Sequence, residues 1–147
     1  MFRSIQVPFD GSSLAEQSLP LAVSLARRDG AELQVVRVHE PMSGIYFHQT
    51  EPFTATLDRE AMDDAREHWD ATVARLAEKT GFHPSFVQLK GPVPETIAAH
   101  ASASGADLLI MTTHGRGPLG RLWFGSVADA LIRQSPIPIL LVRPQEE

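Results

Sequence analysis

The segment 113–126, with the sequence THGRGPLGRLWFGS, contains four glycines and two arginines. Glycine lets backbone N–H groups approach an oxyanion closely, because no Cβ stands in the way. Gly125 and Ser126 directly precede a predicted helix, whose first turn offers unpaired N–H donors and the positive end of the helix dipole. Nine residues separate Gly115 from Gly125, and Arg116 adds a positive charge. This spacing predicts a phosphate-binding site built in two pieces.

Two well-known nucleotide motifs do not account for this loop. The segment 115–120 matches G-x-G-x-x-G, but the dinucleotide fingerprint follows the first strand and has an acidic residue about twenty positions later. Here the loop follows the fourth predicted strand, and Ile139, Leu140 and Leu141 occupy the later position. A P-loop of the G-x-x-x-x-G-K-[S/T] kind is absent from the sequence.

A second candidate binding segment, 7–12 (VPFDGS), follows the first predicted strand. Taken alone, Asp10, Gly11 and Ser12 are typical of a turn with a helix N-cap. In α/β sheets, however, ligands bind at the carboxyl ends of the strands, where strand order reverses. We therefore expect this segment and the glycine loop to meet at one edge of a sheet.

Short apolar segments alternate with helical ones along the whole chain, which predicts parallel strands joined by right-handed helical crossovers. The predicted fold is α/β, a five-stranded parallel sheet flanked by helices, with strands at 2–7, 33–38, 85–89, 107–112 and 137–142. Pro138 suits an edge strand better than a central one. An irregular connection is predicted over 39–56, followed by a charged helix over about 58–79.

Size and composition narrow the possible functions. A chain of 147 residues predicts one domain over 1–147. The net charge of -5 argues against nucleic acids and acidic membranes as partners. The sequence has no cysteine, which excludes disulfides and thiolate metal sites. No signal peptide and no apolar run of membrane-spanning length is found, so we expect a soluble, cytoplasmic protein.

The chain resembles the single-domain universal stress proteins of the UspA type over essentially its whole length. The motifs that carry the resemblance are the segments 7–12 (VPFDGS), 37–41 (RVHEP), 91–94 (GPVP), 107–117 (DLLIMTTHGRG) and 125–128 (GSVA), together with the last predicted strand. Singly these motifs are weak evidence, but together they are highly specific. The resemblance implies a Rossmann-like fold of the adenine nucleotide α-hydrolase-like kind, with strand order 3-2-1-4-5.

ATP-binding members of this family carry a loop of the form G-x-x-G-x9-G-[S/T]. Its second and third glycines correspond to Gly115 and Gly125, and its hydroxyl residue to Ser126. Its first glycine falls on Thr112, whose branched side chain is expected to crowd the ribose or the phosphates. The nucleotide-binding residues implied by the resemblance are therefore Pro8, Asp10, Val38, Thr112, Gly115, Arg116, Gly125, Ser126 and Val127. Among these, Asp10 and Pro8 would lie beside the adenine, the Val38 backbone would read its edge, and Val127 would follow Ser126 into the phosphate-binding helix.

The resemblance implies a stress-response regulatory protein that binds ATP, with Mg²⁺ on the phosphates. It also implies a homodimer that pairs through the predicted edge strand from Ile137 to Val142. No set of nucleophile, base and orienting residue can be assembled from the sequence, so we expect a binding protein and not an enzyme, with slow ATP hydrolysis at most.

Three alternatives stay open. Thr112 favours a dimeric signalling module of the same family that binds no nucleotide. The same residue is compatible with AMP or a cyclic nucleotide, which lack a long phosphate tail. The third alternative is a nucleotide-transferring or hydrolysing enzyme of the related folds.

Overall fold

The computed structural model of the chain describes residues 1–42, 51–116, 122–123 and 125–145. The strands are β1 (Ser4–Pro8), β2 (Glu32–His39), β3 (Ser85–Lys90), β4 (Leu108–Thr112), β5 (His114–Arg116), β6 (Leu122–Trp123) and β7 (Ile139–Val142). The helices are α1 (Ser13–Glu16), α2 (Leu19–Asp29), α3 (Glu51–Thr80), α4 (Val93–Ser104) and α5 (Ser126–Gln134).

Five of these strands form one parallel sheet in the order β3-β2-β1-β4-β7. The predicted fold class and the implied order 3-2-1-4-5 are confirmed, with β7 as the fifth strand of the sheet. Among the described strands β7 lies at one edge, and Pro138 stands just before it, where a missing N–H donor is tolerated. The short strands β5 and β6 pair separately as an antiparallel hairpin that the sequence did not predict.

Helices cover both faces of the sheet, which explains why β4 is apolar without alternation. Ile110 is fully buried and belongs to a cluster with residues of α2 and α3. Its neighbour Leu109 is also fully buried and packs on the other face with residues of α4 and α5. Successive residues of β4 thus enter two different cores, and this central strand fixes the sheet between its helical layers.

Helix α3 begins earlier than predicted. The sequence was expected to be irregular up to residue 56, but Glu51–Thr80 is one helix. Pro52 lies in the first turn, where a helix has no partner for the N–H group that proline lacks. Residues 43–50, the middle of the predicted irregular connection, lie outside the described part of the chain.

Within the described residues, no helix combines the length and the apolar character needed to cross a membrane.

Candidate functional site

A pocket of about 280 Å³ opens at the carboxyl edge of the sheet, where β1 and β4 lie side by side. The chain runs from β1 to β2 on one side of this point and from β4 to β7 on the other, so strand order reverses here. Ligands of doubly wound sheets bind at such reversals. The ends of β1, β2 and β4 line the pocket together with residues of α1, α4 and α5.

Folding brings most of the predicted nucleotide-binding residues to this pocket. Those that line it are Pro8, Asp10, Val38, Thr112, Gly125, Ser126 and Val127. The other two, Gly115 and Arg116, lie in β5, which begins two residues after the end of β4. The rest of the glycine-rich segment, at 117–121 and 124, lies outside the described residues.

The backbone of Val38 faces the pocket, as the hydrogen bonds of β2 establish. The C=O group of Val36 accepts a hydrogen bond from the N–H of Phe9 at 2.9 Å, and the C=O of His39 accepts one from Gly91 at 3.0 Å. Alternate residues of a strand present their backbone groups to opposite sides, so Val38 faces the β1 side, as Val36 does. Since β1 ends at Pro8, no described backbone group pairs with Val38 there. One N–H donor and one C=O acceptor are therefore presented side by side to the pocket.

Asp10 provides an acceptor at the same end of the pocket. The Ser12 N–H donates to Oδ1 of Asp10 at 2.9 Å, which closes the turn after β1. Partial desolvation acts to raise the pKa of Asp10, but hydrogen bonds from Ser12 and the nearby Arg37 charge outweigh it, and the pKa lies below its ordinary value. Asp10 is therefore anionic at neutral pH and can accept but not donate hydrogen bonds.

Ser12 also begins α1, because its Oγ accepts a hydrogen bond from the Ala15 N–H at 3.1 Å. Asp10, Gly11 and Ser12 therefore form a turn with a helix N-cap, as their sequence alone indicated. The same turn holds Asp10 on the pocket wall.

The N-terminus of α5 forms the other end of the pocket. Gly125 is its N-cap residue and has no side chain with which to cap the first turn. Gly125 has φ -59° and ψ 162°, a conformation open to any residue, so glycine is not required there by the backbone. What glycine contributes is space beside the first N–H groups of α5, which line the pocket and have no recorded acceptor among the described residues. This is an arrangement that binds anions.

In the ATP-binding loop pattern that the resemblance implies, Thr112 stands at the position of the first glycine. Its Oγ1 donates a hydrogen bond to the C=O of Leu14 at 2.8 Å. Both residues line the pocket, and the bond ties the end of β4 to α1. The Thr112 side chain is thus held in place at the pocket wall.

Sequence reasoning missed Arg37 and most of the apolar wall. Arg37 was noted only as part of a family motif, although it lines the pocket and is partly buried. The apolar wall comes from α1, α4, α5 and the strand ends, through Leu14, Ala15, Val36, Val93, Ile97, Met111 and Ala128. The signal that could have found Arg37 is its place as the single charge inside the apolar stretch LQVVRV.

The described histidines give no sign of a metal centre. His39 Nε2 lies 2.7 Å from Oδ1 of Asp58, and His100 Nε2 lies 2.7 Å from Oε1 of Gln34. Within the described residues, no three His, Asp or Glu side chains cluster closely enough to hold a metal ion.

The family model described as "Universal stress protein family" matches residues 1–143. The chain belongs to the universal stress protein family. A universal stress protein of Thermus aquaticus, from the QAH/OAS sulfhydrylase 3' region, is 33% identical over 144 residues, covering 97% of this chain and 100% of the relative. The solved structure of the hypothetical protein MJ0577 is similar with a TM-score of 0.80 and 25% identity, covering 100% of this chain and 99% of that one.

Two further similar structures were solved as nucleotide complexes. A universal stress protein from Archaeoglobus fulgidus in complex with dAMP has a TM-score of 0.69 and 23% identity, covering 95% of this chain and 97% of that one. A universal stress protein in complex with cAMP has a TM-score of 0.61 and 24% identity, covering 97% of both chains. At these identities the likeness concerns the fold.

Proposed function

We propose that this universal stress protein binds an adenine nucleotide in the pocket between the ends of β1 and β4, with ATP as the first candidate ligand. The observation that carries the proposal is that one pocket is lined by Asp10 and Val38 at one end and by the N-terminus of α5, at Gly125, at the other. We assign the base to the first end and the phosphates to the second. The dAMP and cAMP complexes of related structures support an adenine nucleotide, and the family loop pattern supports ATP.

The base end suits adenine in particular. Adenine presents an amino donor next to a ring-nitrogen acceptor, which complements the adjacent C=O and N–H groups of Val38. Guanine has an acceptor and then a donor on the same edge, so its carbonyl would face the Val38 C=O and its ring N–H would face the Val38 N–H. The apolar side chains of Val93, Ile97 and Met111 line the pocket and can enclose a flat ring.

The phosphates would lie at the N-terminus of α5, where Ser126 adds a hydroxyl and Val127 a backbone donor. Gly115 and Arg116 would complete the anion-binding loop from β5. Mg²⁺ typically keeps several waters and binds through substrate phosphates, so we place it on the phosphate tail and not in a dedicated protein cage.

The nucleotide would act as a regulatory ligand and not as a substrate for turnover. The only His–carboxylate pair recorded at hydrogen-bond distance among the described residues is His39 with Asp58, and neither residue lines the pocket. We therefore propose a cytoplasmic stress-response binding protein, folded as one domain over 1–147, whose partner preference depends on bound nucleotide.

We further propose a homodimer formed through β7, the edge strand within the predicted segment from Ile137 to Val142. The C=O of Pro138 accepts a hydrogen bond from the Leu109 N–H of β4, and the C=O of Val142 accepts one from the Thr113 N–H just after β4, so alternate residues of β7 face β4. Ile139 and Leu141 consequently present their N–H and C=O groups to the open edge. An apolar edge strand with free backbone groups is a template for pairing with a second copy.

Thr112 favours one alternative function, a signalling module that binds no nucleotide. Its hydrogen bond to Leu14 places a branched side chain on the pocket wall. A ligand with a single phosphate, such as AMP or a cyclic nucleotide, would be affected less by this side chain than ATP.

Calorimetric titration with ATP, ADP, AMP and cyclic AMP, with and without Mg²⁺, tests the proposal. The informative variant is Gly125→Asp, because an aspartate N-cap stabilises α5 while its charge repels a phosphate. The neutral control of similar size is Gly125→Asn. We expect the Asp variant to keep its thermal stability and to bind ATP at least about tenfold more weakly than the Asn variant. Absence of heat with all four ligands in the unmodified protein would refute nucleotide binding.

A further inference from the structure

The pocket contains one cation that the family loop pattern does not explain. Arg37 lies in β2 next to Val38, and it lines the pocket while being partly buried. A charged side chain in the middle of an apolar strand has a cost unless a partner compensates for the lost hydration. The question is what that partner is.

The protein packs around this guanidinium group. A Cβ placed on Gly11 would lie 3.3 Å from Nη1 of Arg37 and 3.5 Å from Cδ2 of His68. Gly11 has φ +86°, in the left-handed region, so the turn after β1 needs glycine for its conformation and gains close contact with Arg37. The His68 ring stacks near Phe9, with the ring centroids 6.3 Å apart. These contacts place the Arg37 guanidinium beside the turn that carries Asp10, and both Arg37 and Asp10 line the pocket.

Neither nearby carboxylate is recorded in a hydrogen bond or ion pair with Arg37, although the Arg37 charge helps to lower the pKa of Asp10. Oε1 of Glu16 lies 3.1 Å from Nη2 of Arg75 and 3.9 Å from Nε2 of His68. Oδ1 of Asp10 accepts the Ser12 N–H. Within the described part of the chain, no ion pair or hydrogen bond of Arg37 is recorded, although a guanidinium carries five N–H donors. Its donors therefore remain for a ligand.

Arg37 lies on the nucleoside side of the candidate site. The phosphate end belongs to α5 and the end of β4, whereas Arg37 belongs to β2, and β1 lies between β2 and β4. Two strand spacings amount to about 10 Å, so the base and the ribose, and not the phosphates at α5, lie nearest to β2. The acceptor for Arg37 is thus expected on the base or the ribose.

We propose that Arg37 and Asp10 form a donor–acceptor pair that reads the nucleoside part of the ligand and so determines its specificity. The inference rests on the proposed function. Asp10 only accepts and Arg37 only donates, so the pair matches neighbouring donor and acceptor atoms. Adenine offers such a pair in its amino group and N7, and ribose offers one in its hydroxyl groups.

Titration of adenosine and AMP separates the nucleoside from the phosphate. The variants are Arg37→Met, which keeps an unbranched side chain without charge, and Arg37→Lys, which keeps the charge but loses the planar fork of donors. Arg59→Met serves as the control, because Arg59 is an exposed arginine on α3 and does not line this pocket. We expect Arg37→Met to lower the affinity for adenosine and for AMP by the same factor, about tenfold or more. Arg37→Lys should recover little of the lost affinity.

Analogues locate the contact. 7-Deazaadenosine, 3-deazaadenosine and 2′-deoxyadenosine each lack one acceptor of adenosine. The analogue that lacks the acceptor of Arg37 should bind the unmodified protein more weakly than adenosine does, but should bind Arg37→Met as well as adenosine does. Equal losses in both proteins for all three analogues would overturn the inference.

Two other outcomes also decide the matter. A loss confined to AMP would place Arg37 on the phosphate, and unchanged affinity for both ligands would make it a structural residue; either result overturns the inference and leaves nucleotide binding intact. If the unmodified protein bound none of adenosine, AMP and ATP, the proposed function would be overturned, and the inference with it.

Discussion

Replacing Thr112 by glycine introduces the residue that the ATP-binding loop pattern has at this position. We expect the variant to be less stable than the natural protein but to bind ATP better relative to AMP. The structure shows why both effects arise from one side chain. The Thr112 hydroxyl holds the end of β4 to the Leu14 carbonyl, and the same side chain lines the pocket.

The expected loss of stability follows from two contributions. A hydrogen bond of this kind contributes about 0.5–1.5 kcal/mol to folding. Glycine at the end of a strand adds about 0.5–1 kcal/mol of backbone entropy cost relative to alanine. The sum is about 1–2.5 kcal/mol, which corresponds to a fall in Tm of roughly 3–8 °C for a chain of this size.

The expected gain concerns ATP. Removing the side chain widens the wall between β4 and α1, where a polyphosphate tail would pass on its way to α5. AMP, with one phosphate, should benefit less. We therefore expect the ratio of ATP affinity to AMP affinity to rise by about tenfold, or 1.4 kcal/mol, as measured by parallel calorimetric titrations.

Two matched variants divide the effect. Thr112→Val keeps the shape but removes the hydroxyl, so it should reproduce much of the loss in Tm with no gain for ATP. Thr112→Ser keeps the hydroxyl and should retain most of the stability. An unchanged ATP-to-AMP ratio in Thr112→Gly would show that the side chain does not obstruct the phosphates. An unchanged Tm in Thr112→Val would show that the bond to Leu14 contributes nothing.

Two further predictions concern the edge strand and the hydrogen bond between His39 and Asp58, which lies outside the pocket. Leu141→Pro removes an N–H that faces the open edge of β7 and should shift the protein from dimer to monomer in light scattering. Leu141→Ala keeps that N–H and should remain dimeric. A dimer in both variants would exclude pairing through β7. A hydrogen bond from His39 and one from the Met42 N–H keep the pKa of Asp58 below its ordinary value, so its stabilising effect is present at neutral pH and disappears as pH falls through that lowered pKa. Asp58→Asn should accordingly lower Tm more at pH 7 than at pH 3, and an equal loss at both values would contradict the reasoning.

The fold was predictable where local pattern and tertiary packing agree. The segment 107–112 is apolar without alternation, and β4 is indeed a central strand with both faces covered. The start of α3 was not predictable in the same way, because Pro52 is compatible both with a loop and with a first helical turn. Which of the two occurs depends on contacts that the local sequence does not encode.

The candidate site shows the same division. The glycine and hydroxyl at 125 and 126 were identified because a helix N-terminus is a local feature. The orientation of the Val38 backbone depends on the register between β1 and β2, and only the hydrogen bonds reveal it. The bond from Thr112 to Leu14 joins residues 98 positions apart. Arg37 was missed because an arginine in a strand ordinarily indicates an exposed position.

The two ends of the site belong to different halves of the chain, and this has a thermodynamic consequence. The β1–β2 half carries Asp10 and Val38, the β4–α5 half carries Gly125, and a bound nucleotide would link them. In the unliganded protein, the bond between Thr112 and Leu14 makes such a link at the same place. A ligand at a hundred times its Kd stabilises the folded state by about 2.7 kcal/mol, slightly more than the expected loss in Thr112→Gly. ATP at a hundred times its Kd should therefore return the Tm of this variant to at least that of the unliganded natural protein. A smaller recovery at that concentration would mean that unfolding does not release ATP from both halves together.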